Sequence, residues 1–332
     1  MSVSILMPVF NAAPYLEKCL NSIIGQSHQE WELIAVNDHS TDESWEKLCL
    51  LQSKDSRVKV FQNPGKGIIH ALRFALRQSH GQWITRMDAD DIMATEKIAS
   101  LYQKLQSAGP GYLATGMVAY FSDQQLGEGY RHYAQWLNQL NLNQQHYQHI
   151  YRECVIPSPC WMIAREDLLK VDAFETDRYP EDYDLCFRFY EHQIKVISSH
   201  HVLHYWRDHG DRASRNQEVY ADNFFMPLKL DYFLKLDYHS DSSLVIWGAG
   251  KKGKRIARWL QAKKVPFHWV CNNPNKWGHQ IYDCRLYPPE KIHALGKVQV
   301  IVAVASPDGQ EEIRQFASQN NLENARDIFF FC

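Results

Sequence analysis

Along the first hundred residues, apolar runs of strand length alternate with stretches of helical period. Val3–Val9 (VSILMPV) is a nearly unbroken apolar run. Beyond it, Pro14 suits a first helical turn, and Leu16, Cys19, Leu20, Ile23 and Ile24 recur at the spacing of one buried helix face. Trp31–Val36 reads as a second strand, and Ser40 with Glu43 has the pattern of a capping box for the next helix. Arg57–Phe61 then predicts a strand, Ile68–Gln78 a helix and Gln82–Met87 a strand. Strands separated by helices in this way make a doubly wound, mostly parallel α/β sheet.

Further along, 112–121 (YLATGMVAYF) predicts another strand, and the Tyr/Gln/Asn-rich 130–153 predicts helix. Residues 154–206 mix strands with a helix around Tyr183–His192, and 217–236 is an amphipathic helix expected to pack on the protein. A polar break, DYHSDSS at 237–243, precedes a second alternation: LVIW, a glycine turn, the helix Lys252–Lys264, FHWV, VQVIVAV at 298–304 and a helix near 310–319. The 332 residues exceed the roughly 250–300 at which a single core stops growing, so two domains are expected. They are 1–240, with halves 1–120 and 121–240, and a smaller α/β unit at 243–332.

Bulk charge narrows the partners. The net charge of −2 offers no general attraction to nucleic acid or to an anionic membrane. No stretch approaches the roughly 18 uninterrupted apolar residues of a membrane span. The first residues, MSVSILMPVF, read as a strand and not as a signal peptide. Eight cysteines without CxxC spacing read as reduced thiols of a cytoplasmic protein. Peripheral association with the inner face of the membrane, and self-association through the C-terminal unit, stay open.

In parallel sheets ligands bind outside the carboxyl ends of the strands. Asn11, then Asn37 and Asp38, then Asp88, Asp90 and Asp91 follow three of the predicted strands. Asp-x-Asp suits a hard divalent cation, Mn²⁺ or Mg²⁺, which takes oxygen ligands and keeps positions for substrate phosphates. Alternate strand residues point the same way, so Asp88 and Asp90 can both reach one point. A capping or solvated-loop role for these acids is the competing reading.

PVFNAAPYL, WELIAVNDHSTD and GQWITRMDADD together resemble the nucleotide-sugar half of family 2 glycosyltransferases of the GT-A fold. RYPEDYDLCFRF (178–189) is similar to that family's Glu-Asp-x-Asp-Leu-x-x-Arg segment, and HYWRDHGDRASR (204–215) to its Trp-Arg-x-His block. The resemblance implies an inverting transfer of a sugar from a nucleotide-sugar donor, a UDP-sugar, to a hydroxyl of a glycan or lipid-linked saccharide. It implies that Asp38 reads the base, Pro8, Phe10 and Asn11 line the nucleoside pocket, and Arg86 lies beside the donor. It further implies that Asp88 touches ribose or metal, Asp90 is the main metal ligand with Asp91 in support, and Asp182 is the general base. His209, or secondarily His204, completes the metal shell or binds phosphate, with a purely structural role as the competing reading for both. Glu181 with Arg207, Arg212 and Arg215 faces phosphate or acceptor. The competing readings are that Glu181, Asp182 and Asp184 only favour a helix N-terminus, and that the arginines form a solvated face. Asn37, Arg73 (where an asparagine is common) and Ser158-Pro159-Cys160 (where His-Pro-Thr is common) depart from the family pattern.

WGAGKKG places Gly248, Gly250 and Gly253 in a Gly-x-Gly-x-x-Gly turn between strand and helix. A dinucleotide site also wants an acid after the next strand, and that place reads Cys271-Asn272-Asn273. With NNPNKWGHQIYDCRLYPPE and VIVAVASPDG, the unit resembles small Rossmann-like domains appended to bacterial sugar-transfer and sugar-modifying enzymes. Either a second nucleotide site, approached by Lys251, Lys252 and Lys254, or a turn built for packing fits it. Two other functions compete: an NAD(P)-linked oxidoreductase acting through these glycines, and a non-catalytic sugar-nucleotide-binding or assembly subunit. A nucleotidyltransferase would want a glycine- and basic-rich loop after the first strand, which PVFNAAPYL is not.

Overall fold

The computed structural model describes residues 2–122, 128–210 and 225–332. By packing, the chain forms two compact units, one from Met1–His146 with Val155–Arg215, the other from Tyr147–Cys154 with Asn216–Cys332.

In the first unit the expected alternation appears: β1 (Val3–Val9), α1 (Ala13–Ile24), β2 (Trp31–Asn37), α2 (Ser44–Lys54), β3 (Val58–Gln62), α3 (Ile68–Gln78) and β4 (Trp83–Arg86). It continues with β5 (Ile92–Met93), α4 (Lys97–Ala108), β6 (Tyr112–Phe121), α5 (Glu128–Asn143), β7 (Trp161–Ala164), α6 (Arg165–Lys170), α7 (Glu181–Glu191) and β8 (Lys195–Arg207). Among the described residues these strands form one eight-stranded sheet in the order β3-β2-β1-β4-β7-β6-β8-β5. β1 runs parallel to both β2 and β4, whereas β7 is antiparallel to β4 and β6. Ile5 and Met7 of β1 are buried against Leu16, Cys19, Leu20 and Ile23 of α1, the face read from the sequence.

The capping box is not formed. α2 starts at Ser44, and its first N–H donates to Asp42 Oδ1 at 3.0 Å, with no capping bond from Ser40 or Glu43. Instead Ser40, Ser44 and Asp42 accept hydrogen bonds from the backbone N–H groups of Asn11, Ala12 and Ala13 at 3.0, 2.9 and 2.9 Å. The orphan donors at the start of α1 are thus satisfied from the next βα loop, which locks the two strand-end loops together. The helix expected through 153 stops at Asn143. No pattern in the sequence marks the two-residue β5; it is too short for any alternation to show, and pairing with β8 creates it.

The second unit holds α8 (Met226–Leu236), β9 (Ser243–Trp247), α9 (Lys251–Ala262), β10 (His268–Val270), β11 (Gln280–Ile281), β12 (Cys284–Tyr287), β13 (Val298–Val302), α10 (Pro307–Gln319) and β14 (Ile328–Phe330). Its sheet order among the described residues is β11-β12-β10-β9-β13-β14, parallel except for the β11–β12 pair. The units divide the chain differently from the boundary read at 237–243. Aromatic packing is the reason: Phe233 of α8 stacks edge-on to Phe329 at 5.0 Å, and Tyr151 lies flat on Phe331 at 5.1 Å. Residues 217–224 of the expected amphipathic helix lie outside the described residues.

Candidate active site

The acidic stretch does not continue β4. Asp88, Ala89 and Asp90 form a turn in which the Asp91 N–H donates to the Asp88 carbonyl at 3.2 Å. The pleat argument therefore fails for Asp88 and Asp90, and each acid takes a different neighbour. Asp88 Oδ1 accepts from Arg86 Nε at 3.0 Å, and Asp90 Oδ2 lies 2.9 Å from His209 Nε2. Both carboxylates stay about a quarter exposed, at 24% and 25%. Asp91 is buried, taking His204 Nε2 at 2.9 Å and the Arg207 N–H at 2.8 Å. It anchors the turn to β8.

This pairing sorts the basic candidates. His204 is fully buried behind the turn, between Asp91 and the Lys97 ammonium, which lies 3.3 Å from its Nδ1. It is a support for Asp91 and does not line the open edge. Arg207 is likewise buried and not presented to phosphate or acceptor: its Nε donates to the Asp90 carbonyl at 2.8 Å, and its guanidinium lies over the rings of Tyr15 and Phe121. His209 is the histidine that reaches the acids from the open side; its ring packs on Tyr15 at 4.4 Å, and its Nδ1 is buried without a hydrogen-bond partner. Arg212 and Arg215 lie outside the described residues. No three His, Cys, Asp or Glu side chains among the described residues already converge as a metal cage. By residue type, Asp88, Asp90 and His209 fit a partial oxygen-and-nitrogen donor set that would leave positions on a divalent ion for other oxygen ligands.

Arg86 connects this edge to the opposite side of the cleft. It is 4% exposed and also donates from Nη1 to Glu181 Oε1 at 3.0 Å, across 95 positions of sequence. Burial opposes its charge, but Asp88, Glu181 and Asp182 outweigh that and raise its pKa. Glu181 is buried, and its Oε2 has no partner. Asp182 is half-buried, and its Oδ1 accepts only from the adjacent Tyr183 N–H at 2.8 Å. Burial first, then the Glu181 charge, push its pKa up to about 7, with Arg86 pulling the other way. Asp184, by contrast, is spent on structure, held by Arg188 Nε at 2.7 Å and by Thr176 Oγ1 at 3.3 Å. Of the three acids at the start of α7, the helix-favouring reading suits Asp184 best, while the raised pKa of Asp182 suits a group that takes a proton near neutral pH.

Just after β2, Asp38 accepts from the Gly67 N–H at 3.0 and 2.9 Å and from Asn63 Nδ2 at 2.7 Å. The sequence reading does not single out Gly67 and Asn63, although NPGKG between strand and helix is a turn signal. Gly67 has a φ of 92°, a conformation that favours glycine. Phe10 projects from the loop after β1 at 62% exposure, whereas Pro8 is half-buried. Asn11 is consumed internally, its Oδ1 accepting the Thr41 N–H at 2.8 Å. A cavity of about 470 Å³ lies beside Asp38 on the α2 side, lined by Asn37, His39, Trp45 and Gln62 among others. None of Asp88, Asp90 or Asp182 lines it, so charges and hydrogen bonds, and not cavity shape, mark the site.

In the second unit Gly248 and Gly253 sit in a tightly packed turn, whereas Gly250 faces open space. A Cβ on Gly253 would stand 1.9 Å from the Gly248 carbonyl oxygen, and Gly248 has a φ of 119°. Asn272, at the place of the missing acid, bridges Trp247 Nε1 at 2.5 Å and Glu312 at 2.8 Å, and Lys276 donates to the Ala249 carbonyl at 3.3 Å.

Similarity to known proteins agrees with the geometry. The chain is 25% identical over 223 residues to the glycosyltransferase GlyG of Streptococcus pneumoniae, covering 65% of this chain and 73% of that protein. It is 41% identical over 97 residues to a glycosyltransferase of Haemophilus influenzae, covering 29% of this chain and 39% of the relative. TarS of S. aureus, solved with UDP-GlcNAc, superposes with a TM-score of 0.58 at 19% identity, over 73% of this chain and 69% of TarS. A mannosyltransferase of Pyrobaculum calidifontis, solved with GDP-Man and Mn²⁺, gives 0.51 at 18% identity over 70% of each chain. Both share the GT-A fold. Residues 4–171, half of the chain, match the family described as Glycosyl transferase family 2. The protein is a glycosyltransferase and belongs to that family.

Proposed function

We propose that this enzyme transfers a sugar from a nucleoside diphosphate, a UDP-sugar, to a hydroxyl of a glycan or lipid-linked saccharide, with inversion at the anomeric carbon. The observation that carries the reading is the buried Arg86, which ties the Asp88 side of the cleft to Glu181 beside Asp182. The donor's diphosphate belongs near Asp88 and Asp90, the base near Asp38, Asn63 and Gly67, and the face of Phe10 against the nucleoside. Asp88 and Asp90, with His209, would hold Mn²⁺ or Mg²⁺. When bound there, the ion supplies neutralisation of the diphosphate, which makes the nucleotide a good leaving group.

Asp182 takes the proton of the acceptor hydroxyl as its oxygen bonds to the anomeric carbon, and the bond from that carbon to the diphosphate oxygen breaks with its electron pair. Burial and the Glu181 charge raise the basicity of Asp182 towards neutral pH, and Arg86 opposes them, so that the carboxylate form stays accessible there. UDP-GlcNAc in TarS and GDP-Man with Mn²⁺ in the Pyrobaculum enzyme support a nucleotide-sugar donor. Against an NAD(P)-linked reaction stands the bridge made by Asn272. Among the described residues no helix is long and apolar enough to cross a membrane, and peripheral attachment is the mode proposed for meeting a lipid-linked acceptor.

Calorimetry of UDP with and without Mn²⁺, on wild type and Asp90→Asn, tests the reading, with NAD as control. Metal-dependent UDP binding weakened at least tenfold in the variant is expected. UDP binding indifferent to metal and to Asp90, or NAD binding in its place, would overturn it.

A further inference from the structure

Residues 171–180 connect α6 to α7 and so deliver Glu181 and Asp182. Two arginines hold this loop from different helices. Arg188 of α7 donates to the Val171 carbonyl at 3.2 Å and to Thr176 Oγ1 at 3.1 Å, closing the loop on its own helix. Arg73 of α3 donates from Nε to the Phe174 carbonyl at 2.7 Å and from Nη2 to Asp177 at 2.9 Å. On the same face of α3, Arg77 reaches Glu175 at 3.4 Å and His70 lies 3.6 Å from Asp177.

The ion pairs are the weaker part of this contact. Asp177 and Glu175 are 68% and 48% exposed, so water screens them. The bond from Arg73 to the Phe174 carbonyl is different, because the Arg73 side chain is only 15% exposed and Phe174 is buried with a φ of 64°. A left-handed backbone at a bulky residue persists only where its surroundings hold it. Meanwhile α3 begins next to Gly67, whose N–H donates to Asp38. One helix therefore meets the nucleoside end at its start and the Asp182 loop further along. An asparagine at position 73, the residue the family resemblance leads one to expect, is too short to make this reach.

We infer that Arg73 is a positioning residue: it clips the 171–180 loop to the donor half, and so fixes where Asp182 stands relative to the donor. This rests on Asp182 being the base, as proposed above. Arg73 touches neither donor nor reacting atoms. The charged groups around Asp182 are Glu181, Arg86 and Asp88, so the clip acts on the carboxyl through burial and placement.

The test uses the full chain with UDP and Mn²⁺ as probes, in wild type, Arg73→Ala, Arg73→Asn and Arg73→Lys. Hydrogen exchange of 171–183 should quicken at least tenfold in Arg73→Ala and Arg73→Asn, and return towards wild type in Arg73→Lys. UDP affinity should stay within threefold. In a second measurement, the pH midpoint of the stability difference between Asp182 and Asp182→Asn is compared in the wild-type and Arg73→Ala backgrounds. Solvent reaching Asp182 should lower it by about one pH unit or more. Unchanged exchange at 171–183, an unmoved midpoint, or UDP affinity lost in parallel would overturn the inference. If wild type binds no UDP, the proposed function fails while the exchange and midpoint results still decide the clip.

Discussion

Replacing Arg86 by methionine probes the connection on which the site depends. The guanidinium holds two carboxylates at 3.0 Å, Asp88 and Glu181, and its side chain and that of Glu181 are each 5% exposed. Removing one partner of such a buried pair leaves carboxylates unpaired in a dry site, and that costs about 3–5 kcal/mol. At the lower end, with roughly 2–4 °C per kcal/mol for a unit of this size, Tm should fall by about 6–12 °C. The loss must depend on pH, because Arg86 interacts with ionised acids. At pH 8 Asp182 is ionised in wild type, whereas at pH 5, below its pKa of about 7, it carries a proton. The Tm deficit of Arg86→Met should therefore be larger at pH 8 than at pH 5. Its remaining activity should need a more alkaline pH, since Arg86 holds the Asp182 pKa down. Thermal denaturation at the two pH values reads the first effect, and a pH–rate profile the second. A deficit equal at both pH values, or a variant as stable as wild type, would refute the claim that Arg86 joins the two sides of the cleft by charge.

Asp182→Asn should abolish transfer and leave UDP binding within a few fold. Because the folded-state pKa of Asp182 is raised, the stability it contributes is full below its unfolded value near 3.8 and is lost as pH rises through about 7. The asparagine has no charge to disfavour, so the variant's Tm should exceed wild type at pH 8 and approach it at pH 5; a constant difference would contradict the raised pKa. In the second unit, Gly253→Ala places a methyl 1.9 Å from the Gly248 carbonyl and should lower that unit's unfolding transition by several degrees, while Gly250→Ala meets open space and should not. Scanning calorimetry separates the two, and equal effects would mean that the turn is not governed by packing.

Much of the site is legible in the amino-acid sequence because local signals carry it. The strand–helix alternation announces a parallel α/β sheet, and acids after predicted strands announce the edge where a ligand sits. The inferences that fail are those that extend a local pattern by one step too many. Ser40 and Glu43 have the spacing of a capping box, yet Ser40 serves the loop after β1. Asp88 and Asp90 have the spacing of a strand, yet they occupy a turn.

The sequence by itself determined the elements, the family motifs and the residue types available at each strand end, since periodicity and turn chemistry act over a few residues. Only the tertiary structure decided how those side chains are spent. Asp184 and Asp182 stand two positions apart, but Arg188 claims the first, while burial and Glu181 prepare the second. His204 and Arg207 are as eligible by residue type as His209, but β8 buries them behind Asp91 and Asp90. Arg86 with Glu181, and Arg73 with Phe174, join residues about a hundred positions apart. Such pairings depend on which elements pack together, and no local pattern in the chain encodes them.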